Sequence, residues 1–195
     1  MNYIWKDNTE KVSISKVKVR ESGYLVKVPV TSKSKPALDE LFLKKWQRLV
    51  DLSAKIMNVP AGLIMQLHED QIEVLLASDT KGNPYEVGEK ADLGIGLYCE
   101  TVVAKRSPLM VENALAASVW QGNPDVELKM ISYLGVPIVW PDGEVFGTFC
   151  VLDARENSYS DVYLDLLLSL RELVEGDLKN SLDVKALTES LNLSD

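Results

Sequence analysis

Two cysteines, one histidine and a few well-placed carboxylates are the groups in this 195-residue chain with types suited to bond-making chemistry. Cys99 stands in GLYCET and Cys150 in GTFCVLD. A thiol works as nucleophile or metal ligand only as thiolate, which needs a cationic neighbour or a helix N-terminus. Neither cysteine has such a neighbour in sequence, although Cys99 opens a predicted short helix. Both therefore read as small buried hydrophobes. With His68 alone and no Cys-x-x-Cys, a four-ligand zinc site is excluded. A haem would want an axial histidine, but His68 sits in a turn beside Glu69 and Asp70 and reads as a surface residue. Asp142 forms a turn, Asp153 ends an apolar run, and neither has a second carboxylate placed for acid–base work. Gly94-Ile95-Gly96 lacks the preceding strand, third glycine and downstream acid of a nucleotide loop and reads as a hinge. Trp120, in the polar stretch ASVWQGNP, is a lid or a plug. Tyr98 and Tyr133 offer hydroxyls to a ligand or to backbone. No catalytic constellation emerges, so a non-enzymatic role is expected, with no cofactor and no metal.

Charge and composition narrow the partners. The net charge is −8, divided as +5 over residues 1–36 and −13 over the rest. An acidic main body repels nucleic acid. The basic N-terminal segment reads as a strand pair with lysines on its wet face. Hydrophobic residues make up 46%, enough for a folded core. No apolar run nears the ~20 residues that span a bilayer, and Met1 to Glu10 is too polar for a signal peptide. A cytoplasmic location is expected, and two isolated thiols suit a reducing compartment.

These residues must be positioned by a recognisable series of elements. VKVRESGYLVKVPV (17–30) alternates around Ser22-Gly23 as a β-hairpin. A helix is predicted from Ala37 to Met57, with Leu38, Leu41, Phe42, Leu49, Leu52 and Ile56 at helical spacing and Pro36 in its first turn. AGLIMQL (61–67) and IEVLLAS (72–78) read as strands, 79–90 as loop, 97–105 as a short helix and LMVE (109–112) as a strand. Residues 113–123 are irregular or briefly helical. Tyr133–Trp140 and Glu144–Asp153 form a hairpin across Pro141-Asp142-Gly143. A second long helix is predicted from Ser160 to about Leu182, with weaker apolar spacing at Leu187 and Leu191. The expected class is α+β, one antiparallel sheet with helices on its faces. The expected divisions are an N-terminal extension and linker (1–36), a main domain (37–183) and a helical connector or tail (184–195).

Strand parity gives a first idea of the site. Side chains alternate across a strand. In 61–67 one face is Ala61, Leu63, Met65 and Leu67, and the other Gly62, Ile64 and Gln66. In 144–153 one face is Val145, Gly147, Phe149 and Val151, and the other Phe146, Thr148, Cys150 and Leu152. The purely apolar faces are expected beneath the long helices. The faces seeded with Gln66, Thr148 and Cys150 are expected to meet the irregular 92–131 segment and line a small-molecule pocket.

Three blocks in order resemble GAF domains, the small-molecule sensor modules of signalling proteins: LKKWQRLVDLSAKIMNVPAGLIMQLHEDQIEVLLAS (43–78), GLYCETVVAKRSPLMVENA (96–114) and SYLGVPIVWPDGEVFGTFCVLD (132–153). The resemblance spans roughly 38–183. It implies a six-stranded type of antiparallel sheet, the first and last helices on one face and a loop-roofed pocket on the other. The candidate pocket set is Ile64, Gln66, Tyr98, Cys99, Trp120, Leu134, Val136, Thr148 and Cys150. The family further implies an unidentified small-molecule ligand, homodimerisation through the terminal helices, and a signalling output domain outside these residues, a kinase or diguanylate cyclase. The Asn-Lys…Phe…Asp-Glu signature of cyclic-nucleotide-binding members is absent. Cys99 and Cys150 do not reproduce the cysteine set of members that reduce free methionine-(R)-sulfoxide, nor does the chain offer the cysteine and histidines of bilin binders. A thiol redox enzyme and a ligand-free dimerisation module stand as the alternatives.

Overall fold

The computed structural model describes residues 13–20 and 22–192. The first twelve residues of the basic segment and the last three of the expected tail lie outside the described residues. The N-terminal hairpin forms as its alternation dictates. Strand β1 (Ser13–Lys18) pairs antiparallel with β2 (Leu25–Val30), and Gly23 takes φ 70° in the turn. Lys16 and Lys27 face solvent while Val17, Val28 and Val30 are buried. The hairpin is part of the core rather than an appendage: β2 joins the main sheet beside β8 (Val145–Asp153), through the parallel partners Val30 and Val145.

Helix α1 (Glu40–Met57) begins later than its periodicity predicts. Asp39 takes the N-cap, its carboxylate accepting from Leu41 N at 2.7 Å, so Pro36 lies ahead of the helix. The helix stops at Asn58 in the left-handed region. Its buried face is Trp46, Val50, Ser53, Ala54 and Met57; Leu41, Leu52 and Ile56, expected in the core, are exposed. Strands β3 (Ala61–Leu67), β4 (Gln71–Ala77) and β5 (Lys90–Asp92) follow, the last inside a segment read as loop. Next come α2 (Tyr98–Lys105), β6 (Leu109–Val111), two 3-10 turns at 114–116 and 118–120, and α3 (Pro124–Glu127). Strand β7 (Ser132–Val139) pairs with β8 around Gly143, whose φ of 87° suits the turn. Helix α4 (Asp161–Asn192) runs well past its predicted end near Leu182.

Among the described residues the eight strands follow the order β1-β2-β8-β3-β4-β5, with β7 also on β8 and β6 on β7; every pair except β2–β8 is antiparallel. The fold is thus α+β, as expected, with two more strands than the six-stranded type. The sheet is buried on both faces. On one, Ile64, Leu134, Val136, Phe146, Phe149 and Val151 pack against α1 and against Leu167, Leu170, Val174 and Leu178 of α4. Trp46 meets the Phe146 ring edge-on at 5.9 Å, and its Nε1 donates to Asp177 on α4 at 2.8 Å, bolting the two helices together. On the other face, Leu63, Met65, Leu67, Ile72, Val74, Cys150 and Leu152 pack against α2 and the hairpin.

This corrects the parity reading for β3. Ala61, Leu63, Met65 and Leu67 turn away from the long helices, and Ile64 turns toward them. Gly62 shows why: a Cβ there would lie 2.9 Å from Val50 O on α1, so the even-numbered face of β3 is the one the helix approaches. The reading holds for Phe149, Val151, Thr148, Cys150 and Leu152. It fails for Val145 and Phe146, because a bulge between Ile138 and Val139 in the β7–β8 register reverses the alternation. Among the described residues, no helix is long and apolar enough to cross a membrane.

The β3–β8 contact supplies a stability test. Gly147 stands opposite Gln66, and a Cβ on it would lie 1.7 Å from the Met65 carbonyl oxygen. Gly147→Ala is expected to cost about 2 kcal/mol or more, because two backbones rather than a side chain must separate. Urea unfolding of the variant and wild type measures it.

Candidate functional site

A cavity of about 260 Å³ lies on the sheet face away from the long helices. Its floor is apolar, made by Leu63 and Met65 of β3, Ile72 and Val74 of β4, and Leu152 with Cys150 of β8. Tyr133 of β7 and Cys99 and Leu97 at the start of α2 close one side. Tyr85, Glu89 and Lys90 close another, and Pro124, Asp125 and Leu128 of the α3 region form the rest of the wall.

The roof is assembled around one carboxylate. Glu100, fully buried on α2, accepts hydrogen bonds from Gly94 N (2.7 Å), Gly96 N (2.6 Å), Leu97 N (3.0 Å) and Lys18 N (2.7 Å). The Gly-Ile-Gly stretch is therefore an anion nest, and the anion is the protein's own side chain. Gly94 and Gly96 adopt φ 90° and 86°, which the nest requires. Arg20, at the end of the hairpin, completes the lock. Its guanidinium donates to Gly96 O (2.6 Å), Ile95 O (3.0 Å), Gln121 O (2.8 Å) and Gly122 O (2.8 Å). Hairpin, nest and the 121–122 turn are thereby one unit, which sets Leu97 and Cys99 into the cavity wall.

The thiols meet in the wall. Thr148 Oγ1 donates to Cys99 Sγ at 3.2 Å, and Tyr133 Oη lies 3.4 Å from the same sulfur. Gly135 makes this possible: a Cβ there would sit 2.1 Å from Tyr133 Oη. Burial, with hydrogen bonding and charge from Cys99, pushes the Cys150 thiol well above its ordinary range. The Tyr133 hydroxyl is likewise pushed up by burial and by Cys99. Tyr98 stacks on Tyr133 at 4.9 Å and meets the Trp120 ring at a 58° tilt, also at 4.9 Å, and its hydroxyl donates to Met130 O at 3.2 Å.

Asp125 supplies the polar feature of the wall. Asn123 caps α3, its side chain accepting from Asp125 N at 2.9 Å, and Pro124 opens the helix. This turns Asp125 inward, where Tyr85 Oη donates to its Oδ1 at 2.8 Å. Burial raises the Asp125 carboxyl from 3.8 to about 6, against the opposing hydrogen bond from Tyr85. The neighbouring Asn123 Nδ2 is buried without a partner.

The expected pocket residues divide. Cys99 and Cys150 line the cavity. Thr148, Tyr98 and Trp120 are buried behind its wall, and Trp120 is a plug on Tyr98. Ile64, Leu134 and Val136 are on the opposite face, in the core beneath the long helices: Ile64 by the parity of β3, Leu134 and Val136 because they pair with Val151 and Phe149 of β8. Gln66, half-buried opposite Gly147 and Glu73, shares Ile64's parity and does not line the cavity. Asp125, Tyr85 and the odd face of β3 were not anticipated. Asn-Pro-Asp signals a helix start, but nothing local signals that its carboxylate is buried. His68 pairs with Glu73 at 2.8 Å on the surface, and Asp153 is held by Arg155 at 2.9 Å, so neither enters the cavity. Among the described residues, no group of three His, Cys, Asp or Glu is placed to hold a metal.

Comparison with known proteins follows the same architecture. The family model described as "GAF domain" matches residues 46–175. No curated protein sequence matches the chain. Solved structures that resemble it include the blue-light absorbing form of the Thermosynechococcus elongatus PixJ GAF domain, with 16% identity, 82% of this chain and 99% of that one covered, and a TM-score of 0.65. The GAF domain of an Acinetobacter phosphoenolpyruvate-protein phosphotransferase is 19% identical, with 78% and 89% covered and a TM-score of 0.60. The free methionine-R-sulfoxide reductase of Neisseria meningitidis, solved with its substrate, is 13% identical, with 73% and 81% covered and a TM-score of 0.60. At these identities the likeness is one of fold.

Asp125 carries a stability test. Groups facing it are Tyr85 from the β4–β5 loop, Tyr98 and Glu100 from α2, and Arg20 from the hairpin. A carboxyl raised in the folded state binds its proton more tightly there than in the unfolded chain. Stability is therefore lost as pH rises from near 4 through 6, by an amount on the order of 2–3 kcal/mol. Asp125→Asn, which cannot ionise, is expected to be more stable than wild type at pH 8 and to lose that advantage at pH 4. Thermal melts across that range measure it.

Proposed function

The chain belongs to the GAF family, and from that footing we propose that it is a sensory module: a small molecule occupies the cavity, and its occupancy is relayed through the helices to an output domain outside this chain. The observation that carries the proposal is the cavity itself, an apolar hollow with one buried carboxylate, set against the sheet face opposite α1 and α4. A ligand with different affinity for two arrangements of the sheet and helices would shift their balance. The route is short, since β7 and β8 carry wall residues on one face and α4 contacts on the other.

The outer helix surfaces support a second copy of this chain as partner. Leu52 and Ile56 of α1 and Leu173, Val184, Leu187 and Leu191 of α4 are exposed apolar side chains. Val184, Leu187 and Leu191 recur at three- and four-residue intervals, the spacing of a helix-pairing seam. Beyond Leu182, Val184, Leu187 and Leu191 are exposed, as on a connector.

A thiol reductase reading draws on the shared fold of the Neisseria enzyme, but the thiols here argue against it. Both are buried, and the surroundings of Cys150 hold it away from thiolate.

Two measurements test the proposal. In sedimentation equilibrium the wild-type chain is expected to be a dimer and Leu187→Glu/Leu191→Glu weaker by about tenfold or more; a monomeric wild type removes the helix-pairing element. In native alkylation both thiols are expected to react no faster than global unfolding exposes them. A rapid single-site reaction would favour the reductase.

A further inference from the structure

The charges around the cavity are lopsided. Of the lining residues only Asp125, Glu89 and Lys90 are ionisable as full charges at neutral pH. Glu89 and Lys90 are exposed at the rim, and Lys90 Nζ is 3.3 Å from Glu73. The one buried charge in the wall is a carboxylate. Arg20 acts on Asp125 only through space, for its donors go to the carbonyls of residues 95, 96, 121 and 122 and it does not line the cavity.

We propose that the ligand class of this cavity is a small organic amine, bound as its ammonium ion with the charged end on Asp125 and the apolar body on Leu63, Met65, Ile72 and Leu152. The proposal rests on the sensory reading above and gives that site its chemistry. A carboxylate has about four acceptor positions, and Tyr85 occupies one on Oδ1. An ammonium brings up to three donors and a compensating charge. The Tyr85 and Tyr133 rings in the same wall add the π-faces that cations favour. An anionic ligand would find no buried cation and would meet a like charge. A neutral ligand would leave the carboxylate with the Tyr85 hydroxyl and the Tyr98 backbone N–H as donors and no compensating charge. The burial that raises Asp125 toward neutrality is what a bound cation offsets.

Three probes with a common ring and differing ends test this in the intact chain: 2-phenylethylamine, 2-phenylethanol and 3-phenylpropionate, titrated calorimetrically at pH 7.5 with thermal melts alongside. The amine is expected to bind roughly tenfold or more tighter than the alcohol, and the acid not to saturate. In Asp125→Asn, whose fold is checked by its melt, amine and alcohol are expected to bind equally. Equal or tighter binding of the acid, or an amine preference that survives Asp125→Asn, overturns the amine class and leaves the cavity standing as a binding site. If none of the three gives heat or a melting shift, the binding-site reading falls and this proposal falls with it.

Discussion

Glu100 is the interaction on which the site depends. A fully buried carboxylate is costly unless its charge is met by donors. Here four backbone N–H groups meet it, three from the turn before α2 and one from the N-terminal hairpin. That arrangement forces the 94–97 backbone to curl, fixes where α2 starts, and so fixes where Leu97 and Cys99 face. Arg20 satisfies the carbonyls of the same turn. The two charges do not touch each other; each is neutralised by backbone dipoles of opposite sense on one curled segment.

The sheet divides the molecule into two cores with different tasks. The helix-side core is dense with aromatic rings, Trp46, Trp140, Phe146 and Phe149, and is bolted by the Asp177 carboxylate to Trp46 and Lys45. The cavity-side core contains the thiols, the tyrosines and Asp125. Strands β7 and β8 are shared walls. A change in packing on one side reaches the other through a single strand thickness, which is the route by which the proposed occupancy would bias helix position.

Polar groups in the cavity wall are arranged as neutralised pairs with one imbalance. Tyr133, Cys99 and Thr148 satisfy one another. Asp125 has the Tyr85 hydroxyl and the Tyr98 backbone N–H as donors but no cation at hydrogen-bond distance among the described residues. That residual negative charge gives the cavity its chemical character. It also sets the Asp125 carboxyl apart from Glu100, which lies deeper but is fully served by backbone donors.

Much of the architecture was legible in local pattern. The hairpins at Gly23 and Gly143, the strands 61–67 and 133–153 and both long helices follow from alternation, helical spacing and turn residues, which act over a few residues. Cys99 and Cys150 were placed at the cavity because α2 and β8 carry them there whatever the roof does. The choice of face for β3 was not legible, because both faces are apolar and both are buried, so hydrophobicity cannot tell helix side from cavity side. Ile64 was misplaced for that reason; Leu134 and Val136 follow Val151 and Phe149, their β8 partners, onto the helix side; and Phe146 was misplaced because a one-residue bulge beside Gly147 reverses parity. Asp125 was invisible because burial of a helix-start carboxylate depends on Tyr85, forty residues away in sequence. The sequence by itself determined the elements and the family pattern, since those rest on short-range periodicity. Only the tertiary structure decided which side of the sheet is hollow and which charge faces the hollow, since both depend on what packs across it.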